Sequence, residues 1–252
     1  DGKFISFTSE VKMLKTINEE YPQYPKANIR YYTDLPVRHW DDWTDDKFSH
    51  LFIVSIDGKS EPKDLMEGEL IDTPLKPFGG VEELGWSPDG KTLAYSARIN
   101  NDIVWNTNSD VFLVNLKTDK GIEYTKENIT PNLAGYDKNP SFSPDGNFIA
   151  FLSQERNGFE SDRIRLMLFD RKSKSIDELT AGFDQWIEEF IWSPDSKKIY
   201  ATATDSGVVS LFEFDLATKS PRKLSKGDWN YGSGLAITPD GKRIIVGKMN
   251  FN

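Results

Sequence analysis

Trp86-Ser87-Pro88-Asp89-Gly90-Lys91-Thr92-Leu93-Ala94-Tyr95 returns along the chain as Phe142-Ser143-Pro144-Asp145-Gly146-Asn147-Phe148-Ile149-Ala150-Phe151, and again as Trp192-Ser193-Pro194-Asp195-Ser196-Lys197-Lys198-Ile199-Tyr200. A weaker copy runs from Ile237 through Thr238-Pro239-Asp240-Gly241 to Val246, and Asp1-Gly2-Lys3-Phe4-Ile5-Ser6-Phe7 matches Asp89 to Tyr95. Every copy has the same physical parts. An apolar residue ends one strand, Pro presets φ, Asp bonds its own backbone and Gly supplies a positive φ. Alternating apolar residues then start the next strand, so each copy is a β-hairpin.

The aspartates at 89, 145, 195 and 240 are spaced by 56, 50 and 45 residues. A period of roughly 40–50 residues with several strands per unit marks a propeller blade. The expected fold is all-β: a β-propeller of four-stranded antiparallel blades, present as a partial set of about four. Framed on the turn, the units are 1–87 (a blade with an insertion), 88–143, 144–193, 194–238 and an incomplete 239–252.

Strands are predicted at Phe4–Ser9 and Leu51–Ile56, then at Leu93–Arg98, Val111–Leu116 and Asn128–Thr130. The next units repeat them at Phe148–Ser153, Arg165–Phe169 and Glu178–Thr180, and at Ile199–Thr204, Ser210–Phe214 and Arg222–Leu224. A last hairpin joins Gly234–Ile237 to Ile244–Lys248. Each outer strand ends in an apolar–hydroxyl pair: Ile129-Thr130, Leu179-Thr180, Leu224-Ser225. Val11–Ser49 breaks the rhythm and reads as an insertion of roughly 35–40 residues between the inner strands of one blade, with a short helix in Glu10–Glu20. The chain opens in mid-turn and stops inside a blade, so it is expected to be a piece of something longer.

Composition narrows the chemistry. A net charge of −9 makes a nucleic-acid backbone an unsuitable partner. There are no cysteines, which removes thiolate ligands, Cys nucleophiles and disulfides. No apolar run reaches the roughly 18 residues of a membrane span. A serine nucleophile on a strand-to-helix elbow needs Gly-x-Ser-x-Gly, and Tyr231-Gly232-Ser233-Gly234 comes nearest but fails the spacing. The only histidines are His39 and His50, so a Ser-His-Asp triad within this chain is not expected. No phosphate loop or metal-ligand pattern is visible. The chain is therefore expected to hold no catalytic residue, cofactor or metal. Paired carboxylates for sugar hydrolysis are not singled out by any spacing among forty acidic residues.

Three departures from the repeat carry candidate function. His39-Trp40-Asp41-Asp42-Trp43-Thr44-Asp45-Asp46 is either a loop folded over a blade edge, its Trp rings buried and its Asp residues capping turns, or a pocket rim whose carboxylates hold an ammonium group. In Arg156-Asn157-Gly158-Phe159-Glu160-Ser161-Asp162, Glu160 and Asp162 are candidates to bind a cationic amine. Ser109-Asp110 echoes Ser161-Asp162 before the equivalent strand, whereas Glu160 has no echo. Glu188-Glu189 is a solvated strand entry or a charge site.

The Ser-Pro-Asp-Gly hairpins resemble the TolB-type propeller repeats shared by TolB proteins and the prolyl oligopeptidase family of serine peptidases. Leu35-Pro36-Val37-Arg38-His39-Trp40-Asp41-Asp42-Trp43 with His50-Leu51-Phe52, Leu152-Ser153-Gln154-Glu155-Arg156 with Gly158 to Arg163, and Trp186 to Asp195 resemble segments of dipeptidyl-peptidase V-like enzymes. The resemblance implies an N-terminal propeller that gates a C-terminal α/β-hydrolase domain, absent here, and helps hold the free N-terminus of short peptides. It implies a periplasmic or secreted enzyme. Carried onto this chain, the N-terminus-binding candidates are Glu160, Asp162, His39, Trp40 and Asp41. The alternative is a TolB-like propeller that binds proteins without catalysis.

Overall fold

The computed structural model describes residues 2–32, 35, 38–39, 42–43, 45–99, 104–117, 121–232 and 234–249. The Ser-Pro-Asp turns form as their chemistry dictates. Ser87 Oγ donates to Asp89 Oδ1 at 2.7 Å, Asp89 Oδ1 accepts from Lys91 N at 3.1 Å, and Thr92 N closes the loop onto Ser87 Oγ at 2.9 Å. Ser143 and Asp145, Ser193 and Asp195, and Thr238 and Asp240 repeat this network. The bond from the hydroxyl, with the backbone bond behind it, draws Asp89, Asp195 and Asp240 below the usual carboxylate range. Gly90 and Gly146 stand at φ +67° and +72°, and Ser196 takes the same left-handed place at +60°.

Each turn joins an inner strand to the next strand of its sheet. The first sheet holds β1 (Phe4–Lys12), β4 (Lys47–Ser55) and β5 (Lys63–Asp64), with α1 (Ile17–Glu20) and the small hairpin β2 (Arg38–His39) and β3 (Asp42–Trp43) between its first two strands. Three four-stranded antiparallel meanders follow. They are β6 (Leu84–Trp86), β7 (Thr92–Ala97), β8 (Asp110–Lys117) and β9 (Glu123–Asn128); β10 (Asp137–Phe142), β11 (Phe148–Ser153), β12 (Arg165–Asp170) and β13 (Ile176–Glu178); and β14 (Ile187–Trp192), β15 (Lys198–Asp205), β16 (Val208–Asp215) and β17 (Pro221–Lys223). Two short pairs end the chain. β18 (Asn230–Tyr231) binds β21 (Lys248–Met249), and β19 (Ala236–Ile237) binds β20 (Ile244–Ile245).

The expected partial propeller is what the chain forms. The frame that starts at the turn runs one strand out of phase with the sheets, because each inner strand precedes its turn. Two local expectations change. β1 continues through Glu10 to Lys12, opposite Lys47, and the helix is confined to Ile17–Glu20, started by a capping box between Thr16 and Glu19. The first two outer strands end two residues earlier than predicted and the third one residue earlier, and the apolar–hydroxyl pairs lie just beyond them. Thr130 Oγ1, Thr180 Oγ1 and Ser225 Oγ accept from Val111 N, Leu166 N and Leu211 N at 2.9, 3.1 and 3.1 Å, replacing the next rung of the ladder. Ile129 and Leu179 beside them are buried.

The core is built from the seams between sheets. Ala94, Val111, Leu113 and Ile129 meet Phe142, Ile149 and Phe151 across one seam. Ala150, Leu152, Leu166 and Leu179 meet Ile187, Trp192 and Ile199 across the next. Indole N–H groups cross the seams as well, from Trp86 to Ser6 Oγ at 2.9 Å and from Trp192 to the Ser141 carbonyl at 3.1 Å. Backbones approach closely here: a Cβ on Gly85 would stand 2.5 Å from the Pro140 carbonyl oxygen.

Candidate functional site

A meander sends its connections alternately to opposite ends of the blade. All the Ser-Pro-Asp turns therefore lie on one rim. The connections from second to third strand, and those from an outer strand to the next inner strand, lie on the other. Residues 13–46, 98–109 and 154–164 are second-to-third connections, so every departure from the repeat falls on this second rim.

The loop after β11 is braced by its own side chains. Asp162 accepts from Glu155 N at 3.1 Å, Arg156 N at 2.8 Å and Arg163 N at 3.1 Å, and pairs with Arg156 Nη2 at 2.8 Å. The Arg156 bond, then these backbone bonds, hold its carboxyl well below the usual range. Gln154 Nε2 donates to the carbonyls of Glu160 and Asp162 at 2.9 and 2.8 Å. The loop also grips its neighbour. Thr107 N donates to Asn157 Oδ1 at 2.8 Å, and Gly158 N to Thr107 Oγ1 at 2.9 Å. Asp162 is thus a buried loop staple with its oxygens occupied, whereas Glu160 turns an exposed carboxylate outward. The Ser109-Asp110 echo does not hold in the structure. Asp110 lies opposite Ala97 within its strand, and the residue in that place in the next blade is Arg165, opposite Ser153.

Glu160 joins a group of charges at the entry to the inner strands. Burial, followed by the charges of Glu83, Glu160 and Glu82 and offset by Arg98, pushes the Tyr136 phenol up to about 12. Lys138 sets its ammonium 5.1 Å above the Tyr136 ring, and burial lowers its pKa against the pull of Glu83 and Glu82. Glu83 accepts from Leu75 N at 2.7 Å, and burial raises its carboxyl to about 7. Glu82, Glu83, Arg98, Tyr136 and Lys138 were not singled out in sequence. The signal was present: Glu82-Glu83 stands before Leu84-Gly85-Trp86-Ser87-Pro88-Asp89 as Glu188-Glu189 stands before Phe190-Ile191-Trp192-Ser193-Pro194-Asp195. Glu188 and Glu189 are structural bonds, to Thr204 Oγ1 at 2.6 Å and Leu235 N at 3.0 Å.

In the insertion, Trp40 and Asp41 lie outside the described residues, and His39 is described only as a strand residue opposite Asp42. Trp43 is exposed, which removes the buried-ring alternative for this residue. It stacks on Tyr32 and lies 5.1 and 5.6 Å from the guanidinium carbons of Arg30 and Arg38. His50 is buried, Nδ1 against Asp64 Oδ2 at 2.8 Å and Nε2 against the Glu69 carbonyl at 2.9 Å, an internal brace rather than a base. Among the described residues no three His, Cys, Asp or Glu side chains converge on a metal position. What this rim can do chemically is bind: carboxylates attract a cation, and exposed rings cover apolar surface.

The fold is that of a propeller of the TolB type. The chain belongs to that family: the family model described as the TolB beta propeller domain matches residues 82–252. Among individual proteins, it is 37% identical over 235 residues to dipeptidyl-peptidase 5 of Porphyromonas gingivalis, a match covering 92% of this chain and 34% of that one. It is 27% identical over 264 residues to dipeptidyl-peptidase 5 of Aspergillus fumigatus, covering 98% and 37%. The chain spans about a third of the length of these curated relatives. The acylaminoacyl peptidase of Pyrococcus horikoshii superposes with a TM-score of 0.62 at 15% identity, over 98% of this chain and 33% of that one. The β-propeller domain of the Trilobed protease from Pyrococcus furiosus superposes at 0.53 with 14% identity, over 81% and 56%. These two structures share the fold.

Proposed function

We propose that this propeller is the non-catalytic part of a serine-type exopeptidase of the prolyl oligopeptidase family, of the dipeptidyl-peptidase kind, acting in the periplasm or outside the cell. Its loop rim faces a C-terminal α/β-hydrolase domain, restricts entry to short peptides and helps to position their free N-termini. The observation that carries this reading is a group of strongly exposed apolar side chains on the loop rim. Val81 (84% exposed), Trp105 (78%), Phe78 (72%), Phe159, Val104 and Trp186 all lie on the loop rim. Exposed apolar surface of this kind suits a partner surface. Glu160 and Glu82, whose charges both act on Tyr136, supply the negative charge that an ammonium group seeks.

In the parent enzyme the serine nucleophile would come from the hydrolase domain and form the acyl-ester, with backbone N–H groups of that domain holding the oxyanion. The experiment is steady-state kinetics on dipeptide reporter amides. This chain alone shows no turnover. In the parent enzyme Glu160→Gln raises KM for peptides with a free N-terminus and leaves N-blocked substrates unchanged. Turnover by this chain alone, or equal effects on both substrate classes, would refute the reading. The match to the TolB model favours a second reading, a propeller that binds proteins without catalysis. It predicts a coding sequence in which no Gly-x-Ser-x-Gly elbow follows the propeller.

A further inference from the structure

The connection from β5 to β6 combines a bonded base with an apolar tip. At the base, Ser49 N donates to Asp72 Oδ1 at 2.7 Å, Thr73 N to the Ser49 carbonyl at 2.9 Å, and Ser49 Oγ to the Thr73 carbonyl at 2.8 Å. Thr73 is fully buried and donates from Oγ1 to the Ser96 carbonyl at 2.7 Å. The base is thereby tied to β4 in the first sheet and to β7 in the second. Above the base the loop closes on itself. Leu75 N donates to Oε2 of the buried Glu83 carboxyl at 2.7 Å, Gly79 N to the Leu75 carbonyl at 2.7 Å, and Glu83 N to the Gly80 carbonyl at 3.1 Å. Gly79 passes so near that a Cβ there would stand 2.6 Å from both N and O of Leu75 and 2.8 Å from Glu83 Cδ. A side chain at this position must displace the backbone it meets.

Between these ties the loop holds Phe78 and Val81 in water. Burying such a side chain contributes roughly 1.5–3 kcal/mol, and a slack loop would fold both against the blade. The bonds at Leu75, Gly79 and Glu83 fix the backbone around both residues and keep the tip outward. Apolar anchors fixed in advance make a strong contact, because ordering a side chain on association costs about 0.5–1.5 kcal/mol. The occupant follows from length and shape. The matches cover 34% and 37% of the two dipeptidyl-peptidase 5 relatives, so most of each relative is a body outside the match. A twofold pair of copies would set one outward tip against another, and two convex surfaces do not fill each other.

We propose that the loop over residues 72–83 is the knob on which the C-terminal hydrolase domain seats, with Phe78 and Val81 as its contacts and Gly79 and Glu83 as positioning residues. The inference rests on the reading of this chain as the propeller of a prolyl oligopeptidase-family enzyme, and it is separate from the role given to Glu160. The test is amide hydrogen exchange, followed by mass spectrometry, in this chain and in the parent enzyme. Residues 76–82 should exchange at least about tenfold more slowly in the parent. A Phe78→Ser/Val81→Ser pair should return them to the rate of this chain alone and split the parent's calorimetric unfolding into two transitions. In this chain the same pair should leave Tm within about 2 °C. Glu83→Gln, which keeps an acceptor for Leu75 N, should retain the protection, and Glu83→Ala should lose it without touching the tip. A parent that hydrolyses dipeptide amides through its own hydrolase domain, yet exchanges at 76–82 as fast as this chain, would overturn this inference and leave the peptidase reading standing. A parent with no hydrolase domain would overturn both. Self-association of this chain that the Phe78→Ser/Val81→Ser pair abolishes would make a second copy the occupant and overturn the proposal as well.

Discussion

Two carboxylates two residues apart should respond in opposite ways to removal. Asp162→Ala takes the acceptor from three backbone N–H groups of its own loop, those of Glu155, Arg156 and Arg163. Hydrogen bonds to a charged group contribute about 1.5–3 kcal/mol each when shielded, but water can reach this rim once the side chain is gone. The exposed Arg156 guanidinium adds little. A net loss of about 2–3 kcal/mol follows for the set, or about 5–10 °C in Tm for a chain of this size. Asp162 sits below its ordinary value of 3.8 in the folded chain. Its stabilisation is therefore present above that pH and is lost as pH falls through the folded value, so parent and variant should converge in acid. Thermal melts at pH 7 and at steps from pH 4 to pH 2, over which the gap should narrow steadily, with limited proteolysis of residues 154–164, read both effects. Glu160→Gln should leave Tm and proteolysis unchanged. An unshifted Asp162→Ala, or a Glu160→Gln that melts early, would refute the division into staple and outward-facing group.

Thr180→Val keeps shape but strips the acceptor from Leu166 N at a buried position, and should cost about 1–3 kcal/mol in urea unfolding at constant m-value. Gly85→Ala drives a Cβ against the Pro140 carbonyl and should lower Tm by more than any surface substitution, measured by circular dichroism. Glu83 has a folded pKa raised from 4.5 to about 7 by burial, so its contribution is fully present below 4.5 and falls by about 1.4 kcal/mol per pH unit up to about 7. Glu83→Gln keeps the acceptor for Leu75 N without titrating, so the variant should gain on the parent between pH 5 and 7.5 in parallel melts.

What could be read in advance was whatever is local. The turn closes through atoms within five residues of one another, Ser87 to Thr92, so its sequence carries its geometry. The outer strands end one or two residues short of their predicted ends because a pair such as Ile129-Thr130 has strand chemistry but serves Val111 from beyond the ladder. The Ser109-Asp110 echo failed because a shared dipeptide says nothing about register, which is fixed by pairing with Ala97 and Ser153. Asp162 carries the right charge for a site, yet its oxygens are taken by amides that only the folded loop brings near. Glu160 stood out because nothing in the repeat required it, and the Glu82, Tyr136 and Lys138 group around it depends on contacts between blades. The sequence left Trp43 open between a ring buried at a blade edge and one on a rim; two arginines and a Tyr lie against it at the surface.

The clasp between Thr107 and the Asn157-Gly158 turn has an evolutionary consequence. Lengthening or shortening either loop alone would pull the clasp apart, since the bonds run in both directions between backbone and side chain. Changes of loop length should therefore be inherited in pairs across these two blades, and a transplant of selectivity from a relative would have to move both loops together.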